Sequence, residues 1–324
     1  FLIMSRLLNF ISILIVVAAF FYRSFCPHNQ AEIELPHLSG SVKIYYDEHG
    51  IPHIKATDRK TGAFGLGYAH AVDRLWQLHM NRMISQGRLS EMFGELPVDF
   101  DKSLRLLNAV NNCEVILSNM EKEHQEYLQA YADGINAYVK RNPLPLQFYL
   151  IWTDFHSWEP IDSCTYLKFM HFQLNLNWNY ELTRDYLTAV IKDEDLVNQI
   201  LPILPEQSDE VTYTMNDEEL KEFGWYKNAP KQGFNSRKAK ASTYKSLKKN
   251  AQKDVGINAQ HIKGSNSWAI SGKHTKSRKA ILANDPHLSN GVPSFWHASK
   301  IEYEDGTYVV GSATPGIPAH GSFS

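Results

Sequence analysis

The sequence has few cysteines and little net charge, and both scarcities exclude classes of protein. Only three cysteines, Cys26, Cys113 and Cys164, occur in 324 residues. That is too few for a disulfide framework or a cysteine-based metal site, and it allows one disulfide at most, between a pair that the spacing does not identify. The formal net charge of -2 gives no whole-chain attraction to nucleic acid or to an anionic membrane.

Several short motifs are missing as well. No His-Glu-x-x-His or Cys-x-x-Cys spacing occurs, so His49, His53, His70 and His79 are interpreted as packing or surface residues rather than metal ligands. No Gly-x-Ser-x-Gly elbow occurs, which makes a conventional Ser-His-Asp hydrolase a weak hypothesis. No Asn-x-Ser/Thr sequon is present, so N-glycosylation gives no support for secretion.

One long apolar run is present near the N-terminus. Residues 7–22 are almost wholly apolar and lie between Arg6 and Arg23. The run is short for a transmembrane helix, which needs about 20 residues, and fits a signal h-region or a short anchor. Bulky residues stand where a cleavage site needs small ones, which favours an uncleaved signal anchor in residues 1–30 over a cleaved peptide or a buried helix. We therefore expect a secretory or extracytoplasmic protein that residues 7–22 anchor.

Periodicity predicts a chain of the α+β class. Two β-rich runs flank residues 47–50 as in a hairpin, and residues 304–307 read as a second hairpin turn. An amphipathic helix begins after Thr57 or Asp58, a second covers residues 121–140, and a third extends from about 160 through 184. Asp73 and Arg74, on the first helix, are interpreted as an ion pair that orients the helix rather than as catalytic groups.

The most informative stretch runs from 264 to 288. Residues 267–271 alternate around Trp268 and Ile270, residues 280–283 form an apolar run, and a polar turn lies between them. This pattern predicts a β-hairpin. On the pattern alone, the Asn-Asp-Pro at 284–286 begins the next loop.

The same stretch carries a resemblance to a known family. Gly-Ser-Asn-x-Trp followed by Leu-Ala-Asn-Asp-Pro-His-Leu is similar to the chain junction of the penicillin acylase family of N-terminal-nucleophile hydrolases. Collinear segments, among them Gly-Tyr-Ala-His-Ala-Val-Asp-Arg-Leu-Trp-Gln and Ala-Tyr-Ala-Asp-Gly-Ile-Asn-Ala-Tyr, extend the resemblance over about 42–184 and 265–318. It implies a four-layer αββα sandwich, here incomplete, with a helical first-chain region.

The resemblance also implies the site residues. The precursor would cut itself between Gly264 and Ser265, making Ser265 the nucleophile at a new N-terminus. A serine hydroxyl needs an adjacent base, and a free α-amino group has a pKa of roughly 7.7–8.0. The peptide nitrogen of uncut Ser265 has no basic lone pair, so the cut would create the base.

Two further residues take implied roles. His287 matches a residue that borders the nucleophile, where its backbone N–H could donate to the oxyanion and its imidazole could orient the serine. Glu181 matches a family ligand of a structural calcium, and the remaining calcium ligands and the oxyanion Asn are expected beyond Ser324. No organic cofactor is expected.

The expected function is hydrolysis of a linear amide through an acyl-enzyme on Ser265. The resemblance implies a small-molecule N-acyl substrate, such as a penicillin or an acyl-homoserine lactone, and hence a zymogen whose partner is its own second chain. No nucleic-acid partner is expected, whereas the N-terminal segment could contact a membrane. The alternative is a truncated, catalytically inactive, membrane-anchored remnant of the family.

Four regions are expected along the chain. Residues 1–30 form the signal segment, 41–223 a mostly helical first-chain region, 224–264 a basic spacer and 265–324 the start of a second chain. The spacer has the composition of a loosely held segment, and no folded nucleic-acid motif accompanies its lysines. Few strands follow Ser265, so a fragment or truncated product is expected.

Overall fold

The computed structural model describes residues 11–16, 40–175, 178–201, 264–288 and 291–321. The chain divides into two compact units, one made of Phe1–Leu174 with Gln260–Ser324 and the other of Asn175–Ala259. Most of the expected signal segment and of the basic spacer lies outside the described residues. Among the described residues, no helix is both long and apolar enough to span a membrane.

A five-stranded sheet forms the centre of the first unit. Its order is β1-β2-β5-β6-β7. The strands are β1 (Val42–Tyr46), β2 (Pro52–Ala56), β5 (His297–Tyr303), β6 (Tyr308–Ala313) and β7 (His320–Gly321). All neighbours are antiparallel except β2 and β5, which pair in parallel. The sheet therefore joins residues from both sides of the predicted cut.

The long helix α1 (Arg59–Ser85) covers one face of this sheet. It begins with a capping box: the Asp58 carboxylate accepts from the Thr61 N–H, and the Thr61 hydroxyl accepts from the Asp58 N–H. This satisfies two backbone donors that a helix start would otherwise leave unpaired. The predicted start of the first helix is confirmed.

The helix α5 (Lys122–Arg141) packs closely against α1. A Cβ on Gly67 would overlap the carbonyl group of Tyr131, and a Cβ on Gly134 would overlap that of Phe64. Only glycine permits this approach of the two backbones. The shared core is almost fully buried and includes Ile54, Leu66, Leu75, Leu78, Tyr131, Ile135, Trp158 and Ile301.

Shorter helices complete the first unit. They are α2 (Ser90–Phe93), α3 (Val98–Arg105), α4 (Ala109–Ser118), α6 (Leu146–Ile151) and α7 (Pro160–Leu174). A disulfide between Cys113 and Cys164 joins α4 to α7 across 51 residues of sequence. A closed loop of that length is worth about 4 kcal/mol of stability through the entropy of the unfolded chain.

The second unit contains α8 (Trp178–Ile191) and α9 (Glu194–Ile200). The Asp193 carboxylate caps α9 by accepting from the Leu196 N–H, and the Arg184 guanidinium donates to the Leu201 carbonyl. The single helix predicted from about 160 through 184 is wrong, because α7 ends at Leu174 and α8 is a separate helix.

The predicted hairpin is present and longer than expected. Strands β3 (Gly264–Ile270) and β4 (Ile281–His287) pair antiparallel over their whole length as a separate two-stranded sheet. The expected loop at 284–286 is wrong, since those residues belong to β4. The chain thus combines helices with two separate sheets, and the predicted α+β class is confirmed.

Candidate functional site

The hairpin brings the predicted cleavage residues and His287 onto neighbouring strands. In its register Gly264 faces His287, Ser265 faces Pro286 and Asn266 faces Asp285. Strand pairing alone thus brings Ser265 and His287 close together in space. The backbone of His287 lies beside the Gly264–Ser265 junction.

The same register separates the two side chains. Directly opposed residues of an antiparallel pair point to one face, and successive residues alternate between faces. Ser265 therefore shares a face with Pro286, whereas His287 shares the other face with Asp285. The bonds agree: His287 Nε2 donates to Asp285 Oδ2 over 2.9 Å, and the Ser267 hydroxyl donates to Asn284 Oδ1.

This geometry distinguishes the two roles expected of His287. Its imidazole is oriented by Asp285, both side chains are at least half exposed (50% and 59%), and neither lies on the face of Ser265. Its backbone N–H belongs to the strand that borders the junction. The backbone group is thus better placed than the imidazole to act on chemistry at Ser265.

A second polar cluster, absent from the sequence predictions, links α1 to the strands that follow the hairpin. His297 Nε2 donates to Asp73 Oδ2 over 2.7 Å, and the His297 side chain is 6% exposed. The partner of Asp73 in this bond is a histidine 224 residues away, whereas the sequence predicted an ion pair of Asp73 with Arg74. No local spacing signals this contact, although the Asp-Arg-Leu-Trp-Gln motif marks its helical half.

His70 lies inside this cluster and is fully buried. Its Nδ1 is 2.7 Å from the Tyr131 hydroxyl, which accepts the Gly316 N–H over 2.9 Å. The phenol donates its one proton to Nδ1, so the imidazole carries its proton on Nε2. Burial, followed by the nearby His297, lowers the pKa of His70 well below its ordinary value, which keeps the ring neutral.

His320 closes the cluster from β7. Its Nε2 is 2.7 Å from the Ser299 hydroxyl. Burial first, and His297 second, lower the pKa of His320 to about 4. The interpretation of His70 and His79 as packing residues is confirmed, since both are buried.

The predicted metal ligand belongs to the second unit. Glu181 is an exposed residue in the first turn of α8, in the second unit. Across the part of the chain that the structure describes, no group of three or more His, Cys, Asp and Glu side chains is arranged to hold a metal ion.

Comparison with known proteins gives consistent results. The family profile described as penicillin amidase matches residues 41–322. The acyl-homoserine lactone acylase QuiP of Pseudomonas aeruginosa is 27% identical over 266 residues, which are 82% of this chain and 30% of that protein. The penicillin acylase 2 proenzyme of Pseudomonas sp. strain SE83 is 26% identical over 307 residues, 92% of this chain and 36% of that protein.

One shorter sequence match and one structural match are more limited. Penicillin G acylase of Escherichia coli is 38% identical over 130 residues, 38% of this chain and 15% of that protein. A solved thermostable penicillin G acylase from Alcaligenes faecalis aligns with a TM-score of 0.47 and 23% identity, over 55% of this chain and 100% of that one. The chain spans about a third of the length of the first two relatives.

The partly buried position of His320 predicts how stability depends on pH. Its folded pKa of about 4 lies below the unfolded value of about 6.5, so the unfolded state binds the proton first. Above about pH 6.5 His320 is neutral in both states and costs no stability. As the pH drops from there towards 4, the free energy of unfolding falls. His320→Gln should remove on the order of 2 kcal/mol of that fall.

Urea unfolding at pH 7 and at pH 4.5 measures this difference. His49→Gln is the control, because the His49 side chain is 74% exposed and should change neither value. An equal loss of stability between the two pH values in His320→Gln and in the unchanged protein would contradict the assignment.

Proposed function

The chain belongs to the penicillin amidase family, and from that membership we propose that it hydrolyses a linear amide through Ser265 after a cut between Gly264 and Ser265. The observation that carries the proposal is the register of β3 and β4. It sets the junction beside the backbone of His287 at the start of a strand, within the residues that the family profile matches.

The proposed cut needs no outside reagent except water. The Ser265 hydroxyl attacks the Gly264 carbonyl carbon, the C–N bond breaks, and the acyl group moves to the oxygen as an ester. The former peptide nitrogen takes up the hydroxyl proton. Water hydrolyses the ester, which leaves a carboxylate on Gly264 and a free α-amine on Ser265. A glycine before the cut offers little steric resistance to the backbone geometry of this attack.

The proposed turnover repeats the same chemistry on a substrate. The Ser265 amine takes the hydroxyl proton while the oxygen attacks the amide carbonyl. The C–N bond of the substrate breaks, the leaving amine receives the proton, and water then releases the acid from the acyl-enzyme. The His287 N–H would stabilise the negative oxygen of each tetrahedral intermediate.

The proposed substrate is a small N-acyl amide. The relatives carry names that specify penicillins and acyl-homoserine lactones. Both kinds of molecule present an acyl group on a secondary amide, and that shared bond is the one the proposed mechanism breaks. The identity of the leaving amine would decide between a role in antibiotic metabolism and a role in signal degradation.

The products of the cut would stay together as two chains. The parallel pairing of β2 with β5 crosses the cut, and so do the bonds from Tyr131 to Gly316, from Tyr127 to Pro318 and from Tyr166 to Thr314. Each second chain would thus have its first chain as partner.

Substitution of Ser265 tests the nucleophile. In the complete precursor, Ser265→Ala should leave a single uncut chain without amidase activity, because both the attacking oxygen and the new amine are lost. Ser265→Cys should keep the cut, since a thiol supports the same acyl shift. Mass spectrometry and release of the amine from an N-acyl substrate measure the two outcomes.

Ser267→Ala is the matched control. Ser267 is the next serine on the same face of β3, and its hydroxyl contacts Asn284 rather than the junction. It should be cut and active. A Ser265→Ala chain that still matures to an N-terminus at 265 would show that another agent makes the cut.

We also propose that Glu181 contributes one oxygen to a structural calcium. Calcium takes six to eight oxygen ligands, and among the described residues no group of three or more His, Cys, Asp and Glu side chains is arranged to hold a metal ion. The proposal therefore rests on the match of the Asn-Tyr-Glu-Leu-x-Arg segment to the family, and no catalytic step is assigned to the ion.

Calorimetric titration with calcium tests this role directly. In the full-length protein, Glu181→Ala should weaken calcium binding by at least tenfold, because a charged ligand is lost. Glu194→Ala, an exposed acidic residue at the start of α9 in the same unit, should bind as the unchanged protein does. Equal calcium affinities in the unchanged protein and in Glu181→Ala would remove the proposal.

We further propose an extracytoplasmic location, with residues 7–22 as the directing segment. The Cys113–Cys164 disulfide supports it, because such bonds form and persist outside the reducing cytosol. A reporter fused after Asn29 should leave the cytosol, and alkylation of freshly lysed cells should leave Cys113 and Cys164 unmodified. A soluble cytosolic reporter and alkylation of both cysteines would contradict the proposed location. Deletion of residues 4–30 is the control, because it removes the directing segment.

A further inference from the structure

Helix α1 is broken at one residue, and three polar residues at the break contact one segment. Arg74 has non-helical backbone angles (φ -141°, ψ 25°) inside an otherwise continuous helix. Asp73 accepts from His297, while Arg74 Nη1 and Gln77 Nε2 donate to the Ser294 carbonyl over 3.5 and 3.3 Å. The three side chains therefore hold the stretch 294–297.

Residues 294–296 belong to the connection between the hairpin and the five-stranded sheet, and His297 is the first residue of β5. Strand β4 ends at His287 and β5 begins at His297. The large side chains of the hairpin are about half exposed: Trp268 53%, Ile270 44% and Ile281 50%. Apolar burial thus contributes little to holding the hairpin, and the backbone leading out of it limits where it can lie.

We propose that Asp73, Arg74 and Gln77, here called the clasp, position the Ser265 hairpin relative to the sheet. They are positioning residues and take no part in bond breaking, and their effect on catalysis rests on the function proposed for Ser265. Ser294 lies outside the strands that the structure describes, so its carbonyl completes none of their ladders, and the bonds from α1 hold Ser294 itself.

The clasp differs from the other bonds that cross the predicted cut. Tyr166 and Tyr127 reach Thr314 and Pro318, which follow β6 and lie far along the chain from the hairpin. Those bonds hold the distal strands, whereas the clasp acts within ten residues of His287. Because a displacement of about 1 Å can cost a factor of 100 in rate, loosening the clasp should affect the chemistry more than it affects folding.

Distances between two spin labels test the positioning without any chemistry. The labels are placed at Lys276→Cys, on the exposed turn of the hairpin, and at Glu123→Cys, on the exposed start of α5, in a Cys26→Ser background that keeps the native disulfide. The parent should give one narrow distance distribution. Asp73→Asn and His297→Phe should broaden it at least twofold.

Tyr166→Phe is the matched control, since it also removes one bond across the predicted cut but leaves the clasp intact. Its distribution should stay narrow. If Asp73→Asn does not fold, Gln77→Leu tests the Ser294 contact instead. Clasp variants with distributions as narrow as the control would overturn the proposal.

Kinetics connect the clasp to the reaction. In the mature protein, Asp73→Asn should lower kcat by about 10-fold to 100-fold with little change in KM. The single variant His297→Gln keeps a donor for Asp73, so its kcat should fall less than that of Asp73→Asn. An unchanged kcat in Asp73→Asn would contradict the positioning role of the clasp but not the proposed nucleophile. Full activity in Ser265→Ala would contradict the proposed nucleophile alone, and the label distances would still decide the clasp.

Discussion

The parallel pairing of β2 with β5 is the contact on which the rest of the first unit depends. It aligns residues 53–56 with 300–303, nearly 250 positions apart, and it places Ile54 beside Ile301. Both isoleucines are buried under α1, which follows β2 directly. A parallel pair requires a long crossover, and here the helices between β2 and β5 supply it. The sheet and its helical cover therefore share one core.

Helix α1 connects this core to the polar clusters. In its first half, Gly62 and Gly65 lie against side chains of the sheet, and Gly67 lies against the backbone carbonyl of Tyr131 on α5. At and beyond the break the helix also carries polar contacts: the clasp residues bind 294–297, and Arg82 donates to the carbonyls of His156 and Ser157. One helix thus transmits the position of the sheet to the segment that leaves the hairpin.

The sequence predicted what local interactions determine. The helix start at Thr57 or Asp58, the helix over residues 121–140 and both hairpin turns depend on residues a few positions apart, and all are present. The Asn-Asp-Pro at 284–286 misled because pairing with β3 overrides its turn preference. The pair Asp73–His297 could not be predicted, since a contact over 224 positions leaves no periodic pattern. The identity of the site residues came from family motifs, and their faces came only from the register.

The alternation of side chains in the hairpin bears on the choice of base in the proposed mechanism. A general base must come within about 2.6–3.2 Å of the proton that it takes. The His287 imidazole leaves β4 on the face opposite Ser265 and is engaged by Asp285, so it does not meet that condition in this register. The α-amine of Ser265 belongs to the same residue as the hydroxyl, so it can take the proton directly or through one water on either face. That amine is a base only after the peptide bond to Gly264 is broken. On this mechanism the uncut chain lacks its base entirely, and activity cannot precede the folding that brings β3 and β4 into register.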